Sequence, residues 1–116
     1  MKAPEAGDIY WVNLDPTLGT EQAGRRPAIV ISSGRYNARS NRVIVCPITS
    51  RVRDWPMDVP LPNSCVTQGV VLCDQVRALD KRLRLFGRVE KTPLDFVARV
   101  QGVLGSILGL DPDAGG

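Results

Sequence analysis

The feature that most limits what this chain can become is a single change of hydrophobic period near Thr92. Before it, short apolar runs with strand character recur between prolines, glycines and polar clusters. They are Asp8–Asn13, Arg26–Ser33, Arg42–Ile48, Met57–Leu61, Gly69–Cys73 and Leu85–Glu90. After it, Leu94, Phe96, Val97, Val100, Val103, Leu104, Ile107 and Leu108 follow at the spacing of one helical face. The first part predicts a mainly β fold, a small, strongly bent antiparallel barrel or half-barrel. The second predicts a C-terminal helix over about 93–109 that docks on it. Its start is well marked, with Thr92 as a capping hydroxyl, Pro93 in the first helical position and Asp95 soon after. At 116 residues the chain makes one domain, 1–116, with the barrel over about 7–90. The connections, Gly34–Asn41 among them, read as loops. Gly102, Gly105 and Gly109 line up with Ala98 on the side of the helix away from its apolar arc. An interior glycine costs about 1 kcal/mol against alanine, so this stripe marks either a marginal helix or the close approach of a second chain.

Composition narrows the chemistry. There is no histidine, which removes the commonest acid–base group and the Ser-His nucleophile pair. Three cysteines, Cys46, Cys65 and Cys73, have no Cys-x-x-Cys spacing and read as reduced, buried thiols. No metal site and no cofactor is expected. The first residues lack a signal-peptide core, and no apolar run nears the roughly 18 residues of a membrane span. The expected location is the cytoplasm, with no membrane partner. Net charge is only +3, but Gln22 to Arg53 holds seven arginines and no carboxylate. Guanidinium forks match phosphate geometry and stack on bases, so this third of the chain fits a nucleic-acid ligand or an acidic protein partner.

Running into the start of that third is the longest connection, Leu14 to Arg25, set between two strand-like runs. A short chain would save entropy with a tight hairpin there. A dozen residues rich in polar side chains, with two glycines, instead suggest a loop that carries function.

The residues from Gly7 through Ser32, with the Gly-Thr-Glu-Gln stretch at 19–22 and Arg26-Pro27, resemble the opening of the MazF/PemK toxins of toxin–antitoxin pairs. The similarity continues through Tyr36-Asn37, Pro47-Ile-Thr-Ser50, Gly69–Arg77 and the C-terminal helix, about residues 7 to 110. It implies a small SH3-like antiparallel barrel with a C-terminal helix, shared with the CcdB toxins. It also implies a homodimer and a sequence-specific, metal-independent endoribonuclease acting on single-stranded RNA, blocked by a cognate MazE-like antitoxin. DNA would be met only indirectly, through that antitoxin. Arg26 matches the family's catalytic arginine and Thr49 its catalytic threonine. Thr20, Glu21 and Gln22 match the loop that contacts RNA, and Arg25, Gln75 and Arg77 lie in matching segments. Tyr36, Asn37, Arg51 and Arg53 lie in the two connections expected to flank the site.

The chemistry agrees with the residues available. RNA carries its own nucleophile, the 2′-OH, so an enzyme without histidine need only promote its attack on the adjacent phosphorus. The products are then a 2′,3′-cyclic phosphate and a 5′-OH. The protein must stabilise charge on the pentacoordinate phosphate and help move protons, and a guanidinium suits the first task. If the second and third strands pair antiparallel, Arg26 and Thr49 meet at one rim. Taken alone, without the resemblance, Arg26 reads better as a surface arginine before a proline, and Thr49 as a turn residue. Two competing functions remain at this stage. One is a CcdB-like gyrase inhibitor that docks without catalysis, against which the tail Leu110–Gly116 lacks an aromatic residue. The other is a non-catalytic RNA-binding barrel.

Overall fold

The computed structural model describes residues 2–16, 19, 21 and 23–110. Seven strands build one antiparallel sheet: β1 (Asp8–Asn13), β2 (Arg25–Val30), β3 (Arg42–Thr49), β4 (Asp58–Pro60), β5 (Val70–Leu72), β6 (Arg77–Asp80) and β7 (Leu85–Lys91). A short helix α1 (Gly34–Arg39) joins β2 to β3, and α2 (Leu94–Ile107) closes the described chain. The strand order is β4-β5-β3-β2-β1-β7, with β6 also on β3, so the sheet is bent and barrel-like but not closed.

Strand β3 does the bending, because it changes partner along one edge. Arg42–Val45 pair with β6, whereas Ile48 and Thr49 pair with β5. Pro47, which has no N–H to offer a ladder, falls between those partners. On its other edge β3 pairs with β2, Ala28 opposite Pro47 and Val30 opposite Val45.

The uninterrupted Ala28–Ile31 run reflects a strand covered on both faces, with successive side chains entering different cores. Ile29 and Ile31 join Ile9, Cys46, Ile48, Val71 and the α2 residues Phe96, Val97 and Val100. Ala28 and Val30 join Val12, Leu14, Val43, Val45 and Leu79. All three cysteines are free and buried. Burial pushes the thiols up, that of Cys73 to about 12, which makes them poor nucleophiles.

Two expectations need correction. Gly34–Arg39 is helical rather than a loop, because the Ser33 hydroxyl accepts from the Tyr36 N–H and caps a turn. Thr92 does not cap α2: the cap position is Pro93. The Thr92 hydroxyl and N–H both donate to the Gly7 carbonyl, at 2.8 and 2.9 Å. The buried hydroxyl finds its acceptor in the carbonyl that already takes the Thr92 N–H, and this tie wins over the cap.

The helix glycines find open space around them. A Cβ added at Gly102 or Gly105 meets nothing within 4 Å. Gly102→Ala and Gly105→Ala should therefore each raise stability by about 1 kcal/mol in an isolated chain. A urea unfolding midpoint checks this, and a loss instead of a gain at high protein concentration would mark a second chain packed on the stripe.

Glu90 ties the segment before β5 to β7. It accepts from the Val66 N–H, the Thr67 N–H and the Thr67 hydroxyl at 3.0, 2.7 and 2.6 Å. Burial alone would raise its carboxyl, but these donors outweigh it and hold the group below its ordinary value of 4.5. A lowered folded pKa stabilises above the unfolded value, and that stability is lost as pH falls through the folded one. Glu90→Gln should thus be less stable than the parent at pH 7, and the gap should close on acidification below 4.5. Thermal melts across that range test it.

Candidate functional site

The open rim of the β2–β3 pair collects the candidate chemistry. The ladder runs to Ala28 opposite Pro47, and two residues further along each strand stand Arg26 and Thr49. Arg26 is half-buried where the long loop enters β2, with its Nε donating to the Ala23 carbonyl at 2.9 Å. The loop is closed at its base. The Leu14 N–H donates to the Gly24 carbonyl at 3.0 Å, and the Gly24 N–H to Asp15 Oδ1 at 2.9 Å. Arg77 reinforces that base, its Nη1 donating to the Leu14 carbonyl at 3.0 Å. Arg26 is therefore carried by a strand and a stapled loop root rather than by a free arm.

Thr49 is buried at the end of β3, opposite Val70. Its Oγ1 accepts from the Arg51 N–H at 3.1 Å. That is the turn contact expected of a threonine at this position, and it also serves chemistry. A hydroxyl has one proton, and with an acceptor site occupied by Arg51 the proton remains free to donate. Thr49 lines a cleft of about 340 Å³ with Arg51, Val52, Arg53 and Leu72. Arg51 is exposed there.

Arg53 is held tightly. Its Nε and Nη2 meet Asp58 Oδ2 and Oδ1 at 2.7 and 3.1 Å, and Nη2 lies 3.5 Å from Asp74. The hydrogen bond to Asp58 holds the guanidinium above its already high ordinary value. Asp74 also lines the neighbouring cleft, about 150 Å³, with Glu21, Pro47, Gln75, Val76 and Arg77. The structure thus gathers Glu21, Gln75 and Arg77 in one cleft and Thr49, Arg51 and Arg53 in the next, joined through the Arg53–Asp74 pair.

Other candidates lie elsewhere. Tyr36 and Asn37 sit on α1, which joins the far ends of β2 and β3 from Arg26 and Thr49. The reason is topological: in an antiparallel pair the connection caps the end opposite the free termini. Tyr36 is exposed. Asn37 is fully buried, and its amide donates to the Pro4 and Ser32 carbonyls at 2.8 and 3.0 Å. That side chain is structural in this fold. Arg25 lies over the Phe86 ring, 4.3 Å from its centroid. Thr20 and Gln22 lie outside the described residues. A broader depression of about 850 Å³, lined among others by Tyr10, Lys81, Arg82 and Arg88, contains none of the candidate residues.

Asp58 was not singled out from the sequence, and neither was Phe86. A carboxylate inside the short Pro-bounded run Met57–Leu61 was the available signal, since a buried acid on a strand needs a partner. Among the described residues no group of three or more Cys, Asp or Glu side chains is placed to hold a metal ion, and no helix is long and apolar enough to cross a membrane.

Comparison with known proteins agrees with this geometry. Residues 5–108 match the family model for PemK-like, MazF-like toxins of type II toxin–antitoxin systems. The chain is 41% identical over 81 residues to the endoribonuclease toxin MazF of Escherichia coli K12, covering 70% of this chain and 72% of that protein. It is similar to the crystal structure of MazF from Deinococcus radiodurans, with TM-score 0.84 and 42% identity over 92% of this chain and 97% of that one. A chain in the MazE–MazF crystal structure from the same organism gives TM-score 0.78 and 38% identity, covering 94% and 98%.

Proposed function

This chain belongs to the PemK-like, MazF-like toxins of type II toxin–antitoxin systems, and from that premise we infer that it is a sequence-specific endoribonuclease. Its substrate is single-stranded RNA, and its products are a 2′,3′-cyclic phosphate and a 5′-OH. The observation that carries the reading is the placement of Arg26 and Thr49 at one rim of the β2–β3 pair, with the Thr49 hydroxyl oriented beside a cleft walled by arginines. Relatives named as endoribonucleases support it.

The reaction needs no group beyond RNA and protein. The 2′-oxygen loses its proton and bonds to phosphorus, the bond to the 5′-oxygen breaks, and that oxygen gains a proton. Arg26 meets the scissile phosphate with its fork and stabilises the charge that builds on the non-bridging oxygens. Thr49 donates its free hydroxyl proton to one of them. Arg51 and Arg53 hold the flanking backbone, while Glu21, Gln75 and Arg77 present donors and acceptors to an unpaired base edge. Thr20, Gln22 and Arg25 contact the strand from the long loop and its root. The toxin works in the cytoplasm, where its RNA is, as a homodimer. Docking on gyrase is disfavoured, since a non-catalytic inhibitor needs no arginine and hydroxyl set together at a strand rim.

The partner is a cognate MazE-like antitoxin, through which the toxin meets DNA indirectly. An acidic segment that folds on binding suits the arginine-walled rim. The test is to incubate single-stranded RNA with the protein in excess EDTA and analyse the fragment ends. Cyclic phosphate and 5′-OH ends are expected. Intact RNA, or ends bearing a 5′-phosphate, would overturn the reading, and failure of the antitoxin segment to compete with RNA would overturn the shared surface.

A further inference from the structure

We propose that Asp58 is a positioning residue for RNA binding, fixing Arg53 as a preset clamp for a second phosphate beside the scissile one. The inference rests on the endonuclease reading of the Thr49 cleft. The segment after Thr49 is exposed from Ser50 to Pro56, and such a stretch is costly to order on demand. Two backbone contacts fold it back, from the Trp55 N–H to the Arg53 carbonyl at 3.1 Å and from the Asp58 N–H to the Trp55 carbonyl at 3.0 Å. The side-on ion pair between Arg53 and Asp58 then locks its middle.

The two partners are unequally placed. The Asp58 side chain is only 2% exposed, whereas that of Arg53 is 47% exposed. Asp58 opens β4 opposite Leu72, itself a wall of the Thr49 cleft, so the carboxylate belongs to the rigid sheet. It engages Arg53 through Nε and Nη2. The planar guanidinium then turns its Nη1 donors away from Asp58. A cation lining the same cleft as Thr49, with one edge anchored and another facing outward, is preorganised for a phosphate oxygen. A cleft of about 340 Å³ has room for one nucleotide unit. The longer 3.5 Å contact to Asp74 is made by Nη2 as well, so both carboxylates engage that side of the fork and Nη1 is the nitrogen left for a phosphate.

The proposal makes a prediction opposite in sign to simple electrostatics. Asp58→Asn removes a negative charge, so charge alone predicts tighter RNA binding. Loss of the anchor predicts weaker binding, with KM raised about 10- to 100-fold and kcat little changed. Arg53→Lys, which keeps the charge but not the fork, should do the same. Arg53→Ala should lower the slope of log KM against log salt by about one, and the Arg53→Ala/Asp58→Asn pair should be no worse than Arg53→Ala. Arg26→Ala run beside them reports on the underlying reading, because it should strike kcat. An unchanged or lowered KM in Asp58→Asn, or an unchanged KM in Arg53→Lys, overturns the positioning role even where Arg26→Ala abolishes cleavage. So does an effect confined to inhibition by the antitoxin segment. Loss of cleavage in Asp58→Asn through unfolding would appear as a lost melting transition, and Arg53→Lys, which leaves Asp58 a cation, then decides.

Discussion

Arg26→Ala should lower kcat for RNA cleavage by about 10²- to 10³-fold, with a much smaller change in KM and no loss of fold. The charge that Arg26 meets is largest in the transition state, when the phosphate is pentacoordinate, so its removal falls on the chemical step. The side chain spends one nitrogen on the Ala23 carbonyl. Its other nitrogens reach for a ligand from a strand root that the Leu14, Asp15 and Gly24 contacts hold in place. Arg26→Lys should recover only part of the loss, because an ammonium meets one oxygen where the fork meets two. Thr49→Val should show a smaller defect of the same kind, since it removes the one proton that the Arg51 contact leaves available. Single-turnover cleavage at saturating protein separates these steps. An Arg26→Ala protein that folds and still cleaves at the parent rate would remove the arginine from the mechanism.

The largest structural effect should come from a residue with no side chain. Gly69 has φ +119°, and a Cβ there would lie 2.1 Å from the Thr49 carbonyl oxygen, 2.7 Å from its carbonyl carbon and 3.0 Å from Ser50 Cα. Those atoms are backbone, so no side chain can swing away; the β3–β5 junction itself must part. Gly69→Ala should cost about 3 kcal/mol or more. It should also take cleavage with it at temperatures where the chain is still folded, because the atoms displaced carry the Thr49 hydroxyl. Gly69 further accepts from the Leu61 N–H at 2.9 Å, so β4 would loosen with it. The measurements are urea unfolding and cleavage at low temperature. Parent-like values of both in Gly69→Ala would refute the close approach.

Much of this was readable before any fold was known. The alternation of short runs marked six of the seven strands to within a few residues, since covered strands must be apolar wherever they meet a core, and β1 carries the bounds its sequence suggested. Strand β6 was missed because Leu79 is its one buried side chain, so Arg77–Asp80 has no apolar run to show. The α2 face was legible in part: Phe96, Val97 and Val100 repeat at a helix period and are buried, whereas Leu94, Ile107 and Leu108, expected on the same docking face, are exposed. The arginine-loaded third pointed to a phosphate ligand through residue type, and Arg26 and Thr49 were singled out by the resemblance to the toxin family.

What the sequence could not decide is which polar groups would be spent inside the protein. Asn37 looked like a contact for RNA and is used to hold Pro4 and Ser32. Thr92 looked like a helix cap and instead binds Gly7. Arg77 spends one guanidinium nitrogen on the base of the long loop. In each case a buried backbone group, distant in sequence, needed a partner, and only the folded chain brings it within reach. Arg53 differs in that its partner is a side chain only five residues on, the buried Asp58 carboxylate, on a strand that sequence could place but not orient. Residue type and order thus determined the class of fold and the kind of chemistry. Tertiary structure decided which donors remain free to perform it, because hydrogen-bond satisfaction is a property of the whole packed chain and of no single segment.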